Sequence, residues 1–512
     1  MKCVSFYLCA VLFLASFSVS GQTVSYSDYE NEDGRDINFE IIGKMKGNFL
    51  VYKNLRWKHK LSIFDKDMNT KAIIMLDFLP EKTLNVDFVT YPDFFYMIYQ
   101  YQKRNIVHCM CVKMDGDGLK LSDPVELDTT QISLFAENKI YSTINSEDKQ
   151  KLMVFKIQKK NEKVHLVTLL FDQQLQLIKK SRLTMEFNDR RENFGDFQLD
   201  NEGNLIVTLA TQPVNRDYSN ELTLITKSPL TDSLVFHAVD IQKNYVNEVK
   251  LKIDNLNKRF LVNAFFYKKN RGTADGMFSW CWNAALGAMD FSTFQDFSDS
   301  LRAESRTDGH LRDAFNEFGI RQVVVRKDGG FLLLTEDYSS QTSNANNNPY
   351  TYNPYNRYNS FYNPYTIYPN SYYSYNPYYN NYYRPYNSFA NQQSTRYYYA
   401  NIVIMSMNKD GKPEWTRVLH KDQMDDNDDN FLSYSTMISG GQIHFLYNLD
   451  RKNQVIADES VAPDGTNKRN ATLKSQEKGY QFMPRLSKQV GANELLIPCL
   501  YRAYICFAKV DL

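Results

Sequence analysis

The chain has 512 residues, of which 43% are hydrophobic and 23% are charged, and its formal net charge is +1. Because positive and negative side chains almost balance, the composition argues against a nucleic-acid partner and against binding to an anionic membrane. The length allows two or three average domains or one large repeat fold. Aromatic residues make up 14% of the chain, and much of this excess lies in one segment, residues 339–398.

The first 21 residues have the pattern of an export signal. Lys2 is a short positive region, residues 4–19 form an apolar run, and small residues follow where cleavage is expected. No later stretch reaches the ~18 uninterrupted apolar residues that suggest a membrane-spanning helix. We therefore predict an exported protein, periplasmic, extracellular or at the cell surface, with residues 22–512 as its mature domain and no membrane span.

From residue 37 onward, the sequence repeats a pair of β-hairpins with a period close to fifty residues. Short alternating strands separated by Asn, Asp and Gly turns predict these hairpins, and the period is typical of propeller blades. The predicted pairs are 37–54 with 60–79, 84–101 with 105–127, 132–157 with 163–185, 193–210 with 221–240, 246–267 with 276–297, 320–338 with 399–421, and 431–449 with 454–474, followed by a hairpin at 480–500.

The fourth pair is the clearest example of the repeat. Its first hairpin turns at residues 200–203, Asp-Asn-Glu-Gly. Asn, Asp and Gly tolerate positive φ, and the short polar side chains satisfy nearby backbone groups. Two such hairpins in series predict one four-stranded antiparallel sheet.

The two ends of the mature chain each contain one strand without a neighbour in sequence. Residues 23–28 alternate but have no partner before them, and residues 501–511 have none after them. Pairing of these two strands would complete a last sheet and leave no exposed edge. We predict an all-β propeller of eight blades closed in this way, with seven blades as the alternative because the third and seventh repeats are blurred.

Two segments interrupt the repeat. Residues 298–318 have apolar positions with helical rather than alternating spacing and predict a short helical insertion. Residues 339–398 are a low-complexity insertion rich in Tyr, Asn and Pro, which predicts a disordered loop because Pro blocks strand pairing and no apolar period is present.

The low-complexity insertion is also the first candidate binding surface. It contains four copies of Asn-Pro-Tyr, which end at Tyr350, Tyr355, Tyr365 and Tyr378. Tyrosine offers a flat apolar ring at low entropy cost together with a hydroxyl group, which suits contacts with sugars and proteins. The alternative is a solvated insertion without a role.

In its repeat pattern, the chain resembles secreted bacterial β-propeller proteins over essentially the whole mature domain. None of the named propeller signatures is present. Residues 410–415 are similar to the Asp-box turn of sialidase propellers, but they lack its Ser-x-Asp-x-Gly order and the Thr before Trp415. The resemblance therefore implies the fold and no catalytic residues, and Trp415 is interpreted as packing between blades.

Two smaller groups of residues are weaker candidate sites. Trp280 and Trp282 share one face of a strand and are interpreted first as packing between blades, with stacking on a sugar as the alternative. Residues 425–430 concentrate oxygen ligands of the kind that Ca²⁺ prefers, but the Gly and the distal Glu of a helix-loop-helix site are missing. The candidate ligands for Ca²⁺ are Asp425, Asp426, Asp428 and Asp429. No other cofactor is predicted.

The mature domain has an odd number of cysteines. Two of them alternate within one predicted strand and cannot readily bridge in extended backbone. We interpret most of them as buried thiols, with one disulfide left open, and the sequence does not indicate which pair would form it. These cysteines are Cys109, Cys111, Cys281, Cys499 and Cys506.

Three functional hypotheses follow. The first is a non-catalytic binding or scaffolding propeller that contacts a protein or glycan at the cell envelope. The second is a glycan-active enzyme whose carboxylates, from different blades, lie ~5–10 Å apart at one end of the central channel. The third is an envelope protein that self-associates through the tyrosine-rich loop. The sequence does not indicate the oligomeric state.

Overall fold

The computed structural model describes residues 23–29, 37–55, 58–132, 139–214, 217–306, 314–344, 393–426, 429–449, 452–474, 479–502 and 504–512. Within these residues, 35 strands form eight sheets, and each sheet is a path of four antiparallel strands. The eight sheets are the eight blades of a β-propeller, so the prediction of eight blades is confirmed and the alternative of seven is wrong. No helix in the described part of the chain is long and apolar enough to span a membrane.

The first five blades use consecutive strands, in order from the first to the fourth strand of each sheet. Their bounds are β2 (Ile37–Met45), β3 (Asn48–Leu55), β4 (Lys58–Phe64) and β5 (Thr70–Met75); β6 (Thr83–Thr90), β7 (Phe94–Lys103), β8 (Ile106–Asp115) and β9 (Val125–Gln131); β10 (Tyr141–Asn145), β11 (Lys151–Lys160), β12 (Lys163–Asp172) and β13 (Leu177–Glu186); β14 (Glu192–Leu199), β15 (Leu205–Thr211), β16 (Glu221–Lys227) and β17 (Val235–Val239); β18 (Tyr245–Asp254), β19 (Arg259–Tyr267), β20 (Gly276–Asn283) and β21 (Ala288–Asp296).

The last three blades each have an extra short strand beside the regular four. Their bounds are β22 (Phe318–Val325), β23 (Phe331–Asn344), β24 (Gln393–Met407), β25 (Pro413–Leu419) and β26 (Gln423–Asp426); β27 (Tyr434–Ser439), β28 (Gln442–Asn448), β29 (Val455–Val461), β30 (Asn467–Arg469) and β31 (Leu473–Lys474); β32 (Tyr480–Phe482), β33 (Lys488–Gln489), β34 (Glu494–Tyr501), β35 (Tyr504–Asp511) and β1 (Thr23–Tyr26). A 3₁₀ turn, Pro484–Leu486, lies between β32 and β33.

The hairpin turns form as the sequence predicts. At the turn of the fourth blade, the Asp200 carboxylate accepts hydrogen bonds from the backbone N–H groups of Glu202 and Asn204, at 3.0 and 2.7 Å. Gly203 has a φ of 90°, a value that a residue with a Cβ rarely adopts. Asp65 and Asp115 accept equivalent backbone bonds in the first two blades. These turns are therefore fixed locally.

The ring closes through its two ends, which confirms the predicted pairing. β1 pairs antiparallel with β35, and Val24 lies opposite Val510. Ser27 continues the contact, because its backbone N–H donates to the carbonyl of Phe507 at 2.8 Å and its hydroxyl accepts from the N–H of Phe507 at 3.0 Å. The N-terminal strand is thus the fourth strand of the eighth blade.

Apolar side chains fill the space between neighbouring blades. Each of eight buried clusters in the described residues combines side chains from two adjacent blades, and together they continue around the ring. In the cluster between blades four and five, for example, Ile206 of β15 packs with Val262 of β19, and neither is exposed. The core is therefore a closed ring of interfaces between sheets.

The predicted helical insertion is present but shorter than expected in the described residues. α1 (Asp299–Glu304) is helical, with the Ser298 hydroxyl accepting from the backbone N–H of Leu301. Phe315 has a φ of 64° and Phe318 begins β22, so neither belongs to a helix. Both are buried between blades five and six, where Phe315 stacks on Phe297 at 4.0 Å. The apolar spacing reflects this packing, and Leu311 lies outside the described residues.

The predicted low-complexity loop is shorter than expected at both ends. β23 continues to Asn344 and β24 begins at Gln393, and the two strands stay in register over that length. Backbone pairing with the neighbouring strand therefore extends into residues 339–344 and 393–398. The rest of the predicted loop, 345–392, lies outside the described residues.

Candidate functional site

The sixth blade differs from the others at one end, where its second and third strands are extended and residues 345–392 join them. Neighbouring strands run antiparallel, so the segment that joins the second and third strands lies at the same end as the connections between blades. Residues 297–317 and 420–433, which connect the sixth blade to its neighbours, are thus at this end. We use the name sixth-blade platform for three pieces of chain. They are β26, the part of β23 that follows Glu336, and the part of β24 that precedes Asn401.

The platform is a ladder that extends beyond the regular sheet. β23 and β24 are the longest strands, with 14 and 15 residues. The register shifts between Glu336 and Tyr338, and the ladder then continues through the pairs from Tyr338 with Tyr399 to Asn344 with Gln393. Such a shift bends a strand pair and increases its twist. Seven pairs correspond to about 20 Å of additional strand.

A fully buried carboxylate lies where the platform meets the blade. Glu336 has no exposed surface, and its two carboxylate oxygens pair with the Lys421 ammonium and the Arg321 guanidinium, each at 2.7 Å. The Ser433 hydroxyl donates to the same carboxylate at 2.7 Å. Lys421 also donates to the side-chain oxygen of Gln423 in β26 at 3.1 Å. The sheet and the connection to blade seven are therefore joined by buried charge.

A second ion pair links this region to the eighth blade. The Arg485 guanidinium donates to both oxygens of Asp429, at 2.7 and 2.9 Å. The Tyr399 hydroxyl donates to Asp429 at 3.0 Å and accepts from Arg485 at 2.9 Å. The side chains of Asp429 and Arg485 are 31% and 27% exposed, so this pair lies nearer the solvent than Glu336 does.

Two tyrosines of the platform lie between these charges. Tyr338 and Tyr399 are buried, with ring centroids 4.7 Å apart, and they pack with Leu432. The Arg321 guanidinium lies 5.6 Å from the Tyr338 ring and 5.2 Å from the Tyr399 ring, within cation–π range. Aromatic contact thus adds to the ionic contact at the base of the platform.

Both carboxyl groups of this cluster are held in the charged form. Burial alone raises the pKa of Glu336, but Lys421 and Arg321 more than offset it, so the pKa lies below its usual value. The pKa of Asp429 is lowered in the same way, because Arg485 outweighs the effect of burial. Burial lowers the pKa of Lys421, although Glu336 opposes this. Such ionised, paired carboxylates are suited to binding and fixing structure.

The structure places the candidate Ca²⁺ ligands beside the platform but gives two of them arginine partners. Asp425 and Asp426 are in β26, and Asp426 pairs with Arg396 across the ladder at 2.6 Å. Asp429 pairs with Arg485, and Asp428 lies outside the described residues. The described residues contain no group of three or more His, Cys, Asp or Glu side chains placed to hold a metal. The Ca²⁺ site stays a prediction.

The other candidate binding residues are separated in the structure. Tyr350, Tyr355, Tyr365 and Tyr378 lie outside the described residues. Trp280 is buried between blades four and five. Trp282 is half-buried, with its ring nearly parallel to that of Trp280 at 6.0 Å and 4.2 Å from the His237 ring. Trp280 is therefore part of the core, and stacking of a sugar on Trp282 stays a prediction.

Trp415 packs between blades, as the sequence analysis proposed. Its ring belongs to the partly buried side chains of the cluster between blades six and seven. The indole N–H donates to the carbonyl of Pro463 at 3.0 Å. Gly465 lies so close to the ring that a Cβ there would be 2.6 Å from it. This contact explains Trp415 without a catalytic role.

Sequence reasoning missed the charged residues at the base of the platform. Glu336 follows the apolar run Phe-Leu-Leu-Leu-Thr, so a charge at the end of a buried strand was a visible signal. Its partners could not be identified in this way, since Lys421 is 85 residues away in sequence and Arg485 is in the eighth blade. Only the tertiary structure brings these residues together.

A small apolar crevice lies elsewhere, between the third and fourth blades, and only Lys227 contributes a charged group to its wall. Burial lowers the pKa of Lys227, whose ammonium donates to the carbonyl of Ser228 at 3.0 Å. The other lining residues are Ile157, Val164, Leu166, Met185, Phe194, Phe197, Leu205, Val207, Ile225 and Leu234.

Comparisons with known proteins show no family for this chain. No family model matches the chain, and no curated protein matches it. Solved structures with a similar fold include a prolyl endopeptidase (TM-score 0.43, 9% identity, covering 92% of this chain and 55% of that chain). Others are the polysaccharide lyase Uly1 (TM-score 0.38, 10% identity, 83% and 89% covered) and the β-propeller domain of the Trilobed protease from Pyrococcus furiosus (TM-score 0.36, 9% identity, 83% and 95% covered). The chain thus spans about half the length of the prolyl endopeptidase.

Proposed function

We propose that this eight-bladed propeller is an exported, non-catalytic binding or scaffolding module, and that residues 345–392 form its contact surface. The observation that supports the proposal is the platform. The longest strand pair of the molecule extends beyond the sheet, and the tyrosine-rich residues connect its two strands.

The charged cluster gives the platform a fixed position on the ring. Glu336 belongs to the sixth blade, Lys421 to the connection with the seventh, and Arg485 to the eighth. Removing one member of the buried Glu336–Lys421 pair would cost about 3–5 kcal/mol, because the remaining charge is left without a partner. The platform from which residues 345–392 extend is therefore held by contacts with three parts of the ring.

The composition of the contact surface favours a protein or glycan at the cell envelope as partner. Four Asn-Pro-Tyr copies supply Tyr350, Tyr355, Tyr365 and Tyr378. Tyrosine rings stack on sugars and on other rings, and their hydroxyl groups form hydrogen bonds at the same time.

The ionisation of the two carboxylates argues against a glycosidase at this site. A glycoside hydrolase needs one carboxylic acid with a raised pKa that protonates the leaving group. The pKa values of Glu336 and Asp429 are both lowered, and each carboxylate is paired with a cation. At this cluster, charge that stabilises structure favours a binding role, and the enzymatic alternative would need carboxylates elsewhere, at one end of the central channel.

The proposal is tested by replacing residues 345–392 with a twelve-residue Gly-Ser linker. We expect the intact chain to bind a washed cell-envelope fraction from the encoding organism, and the variant to lose this binding while its circular dichroism spectrum is unchanged. The matched control is Trp282→Ala, which removes the other candidate stacking surface and should keep binding. The proposal is contradicted if the envelope fraction binds the intact chain and the linker variant equally well, or if it binds neither.

Sedimentation of the same two proteins in the absence of envelope separates the binding role from self-association. If the intact chain forms concentration-dependent oligomers and the linker variant does not, residues 345–392 bind further copies of the chain. That result would replace the proposed role with that of a self-associating envelope protein.

A further inference from the structure

The closing hairpin of the ring contains two cysteines that face each other. Cys499 in β34 lies opposite Cys506 in β35, and their sulfur atoms are 2.8 Å apart. This separation is closer than two sulfur atoms normally approach without a bond. Both residues are completely buried, in the cluster between blades seven and eight.

The Cα separation expected for the pair lies within the range that disulfides span. The backbone N–H and carbonyl of Phe507 both bond to Ser27 of the N-terminal segment. Phe507 and Pro498, which lie opposite each other in the hairpin, therefore form a non-hydrogen-bonded pair. In an antiparallel ladder the next pair, Cys499 with Cys506, is then a hydrogen-bonded pair with a Cα separation of about 5.5 Å. Disulfides span Cα separations of about 4.4–6.8 Å.

The other cysteines of the described chain have different surroundings. Cys109 and Cys111 lie two residues apart in β8, and extended backbone does not let such a pair bridge. Cys281 is buried, and its sulfur accepts a hydrogen bond from the Arg259 guanidinium at 3.2 Å. Only Cys499 and Cys506 are directly opposed.

We propose that Cys499 and Cys506 form a disulfide that locks the last hairpin of the propeller. The inference rests on the geometry of this pair and is independent of the proposed binding role. β35 lies between β34 and the ring-closing strand β1. A bond between β34 and β35 prevents the C-terminal strand from separating from the blade, and β1 thereby keeps its partner.

The oxidant is a disulfide of the glutathione or thiol–disulfide oxidoreductase class. The thiolate of one cysteine attacks this disulfide, forms a mixed disulfide and releases one thiol of the oxidant. The thiolate of the second cysteine attacks the mixed disulfide, forms the Cys499–Cys506 bond and releases the second thiol. The protein loses two protons and two electrons, and the oxidant is reduced to two thiols.

Burial indicates when this exchange occurs. It raises the pKa of the Cys499 thiol well above its ordinary value, which disfavours the reactive thiolate in the folded blade. Both sulfur atoms are also completely buried in the folded blade, so the oxidant reaches them as the hairpin forms, before blades seven and eight pack together.

The test is to refold the full chain in glutathione buffers from fully reduced to fully oxidised, quench with iodoacetamide and digest with trypsin. Arg502 lies between the two cysteines, so cleavage puts them in separate peptides, 489–502 and 503–509. We expect these peptides to be linked in oxidising buffer, and Cys109, Cys111 and Cys281 to be alkylated. Alkylation of Cys499 and Cys506 in the oxidised sample overturns the proposal.

A second measurement tests the effect on the ring. The oxidised chain should melt about 2–4 °C above the reduced chain. The variant Cys499→Ala with Cys506→Ala should lose this difference, whereas Cys109→Ala with Cys111→Ala, a matched pair in the second blade, should keep it. Linked peptides without a difference in melting temperature would overturn the locking role. The peptide result does not depend on whether either variant folds.

Discussion

The fourth and sixth blades show how one repeat can be used in two ways. The fourth has strands of 8, 7, 7 and 5 residues, with apolar side chains between it and its neighbours. The sixth has the same order of strands, but its second and third strands are about twice as long. The additional length extends beyond the apolar interfaces, and only Tyr338, Tyr399 and Leu432 form an apolar cluster there.

The difference indicates that a strand pair extending beyond the apolar interfaces between blades needs other contacts to hold it in place. In the fourth blade, hydrophobic burial is sufficient, because apolar side chains of its strands pack against both blade three and blade five. In the sixth, Glu336, Lys421 and Arg321 supply contacts that are directional and depend on all partners being present. Buried ion pairs are poor sources of net stability but strong determinants of which partners meet.

The largest effect is expected for Glu336→Gln. It leaves the buried Lys421 ammonium and the Arg321 guanidinium without their counter-charge, so unfolding in urea should show a loss of about 3–5 kcal/mol. The variant Glu336→Leu with Lys421→Met removes both charges and should recover at least half of that loss. A loss below 1 kcal/mol for Glu336→Gln would show that the charges do not stabilise the sixth blade.

A comparable core substitution in the fourth blade should be almost as costly for a different reason. Ile206→Ala leaves a cavity between blades four and five, and we expect a loss of about 2–4 kcal/mol in urea unfolding. Adding salt should change the stability of this variant no more than that of the parent. A strong salt dependence would contradict the apolar account of the fourth blade.

Acid should weaken the sixth blade before the fourth. The pKa values of Glu336 and Asp429 are lowered in the folded state, so their ion pairs stabilise the protein above the unfolded values of about 4 and are lost as the pH falls through the folded values. Hydrogen exchange at pH 3, compared with pH 6, should show increased opening of β23, β24 and β26 relative to β14–β17. Equal change in both blades would contradict this prediction.

A smaller loss is expected for Asp429→Asn. The carboxylate and its Arg485 partner are each about a third exposed, so solvent screens the pair and the cost in urea unfolding should be about 1 kcal/mol. Arg485→Met should give a similar loss, and the double variant should be no worse than the sum of the two. A loss as large as that of Glu336→Gln would mean that the pair is more buried than its exposure indicates.

The smallest effect on stability is expected for the linker variant that replaces residues 345–392. Shortening a loop fourfold recovers about 1 kcal/mol of closure entropy, so the melting temperature should be unchanged or slightly higher. A large decrease in differential scanning calorimetry would show that these residues pack against the blade. The tyrosines would then belong to the core rather than to a contact surface.

Much of the fold could be predicted from local signals. The turn at Asp200 and Gly203 forms from residues within five positions of one another, and so do the equivalent turns at Asp65 and Asp115. Local signals also misled, because the spacing of Phe315 and Phe318 predicted a helix. Their side chains follow the requirements of the interface between blades five and six, which no local pattern records.

The sequence by itself determined the repeat and the pairing of the two ends, because hairpins are local and an unpaired strand at each end requires a partner. It left the number of blades at eight or seven, and the structure decided for eight. Only the tertiary structure decided which distant residues meet. Folding of the sixth blade brings Glu336 to Lys421, packing around the ring brings Asp429 to Arg485, and closure of the ring brings the N-terminal strand to the hairpin of Cys499 and Cys506. Charge pairing acts over a few ångströms in space regardless of separation along the chain, so these partners become visible only once the eight blades are placed around their axis.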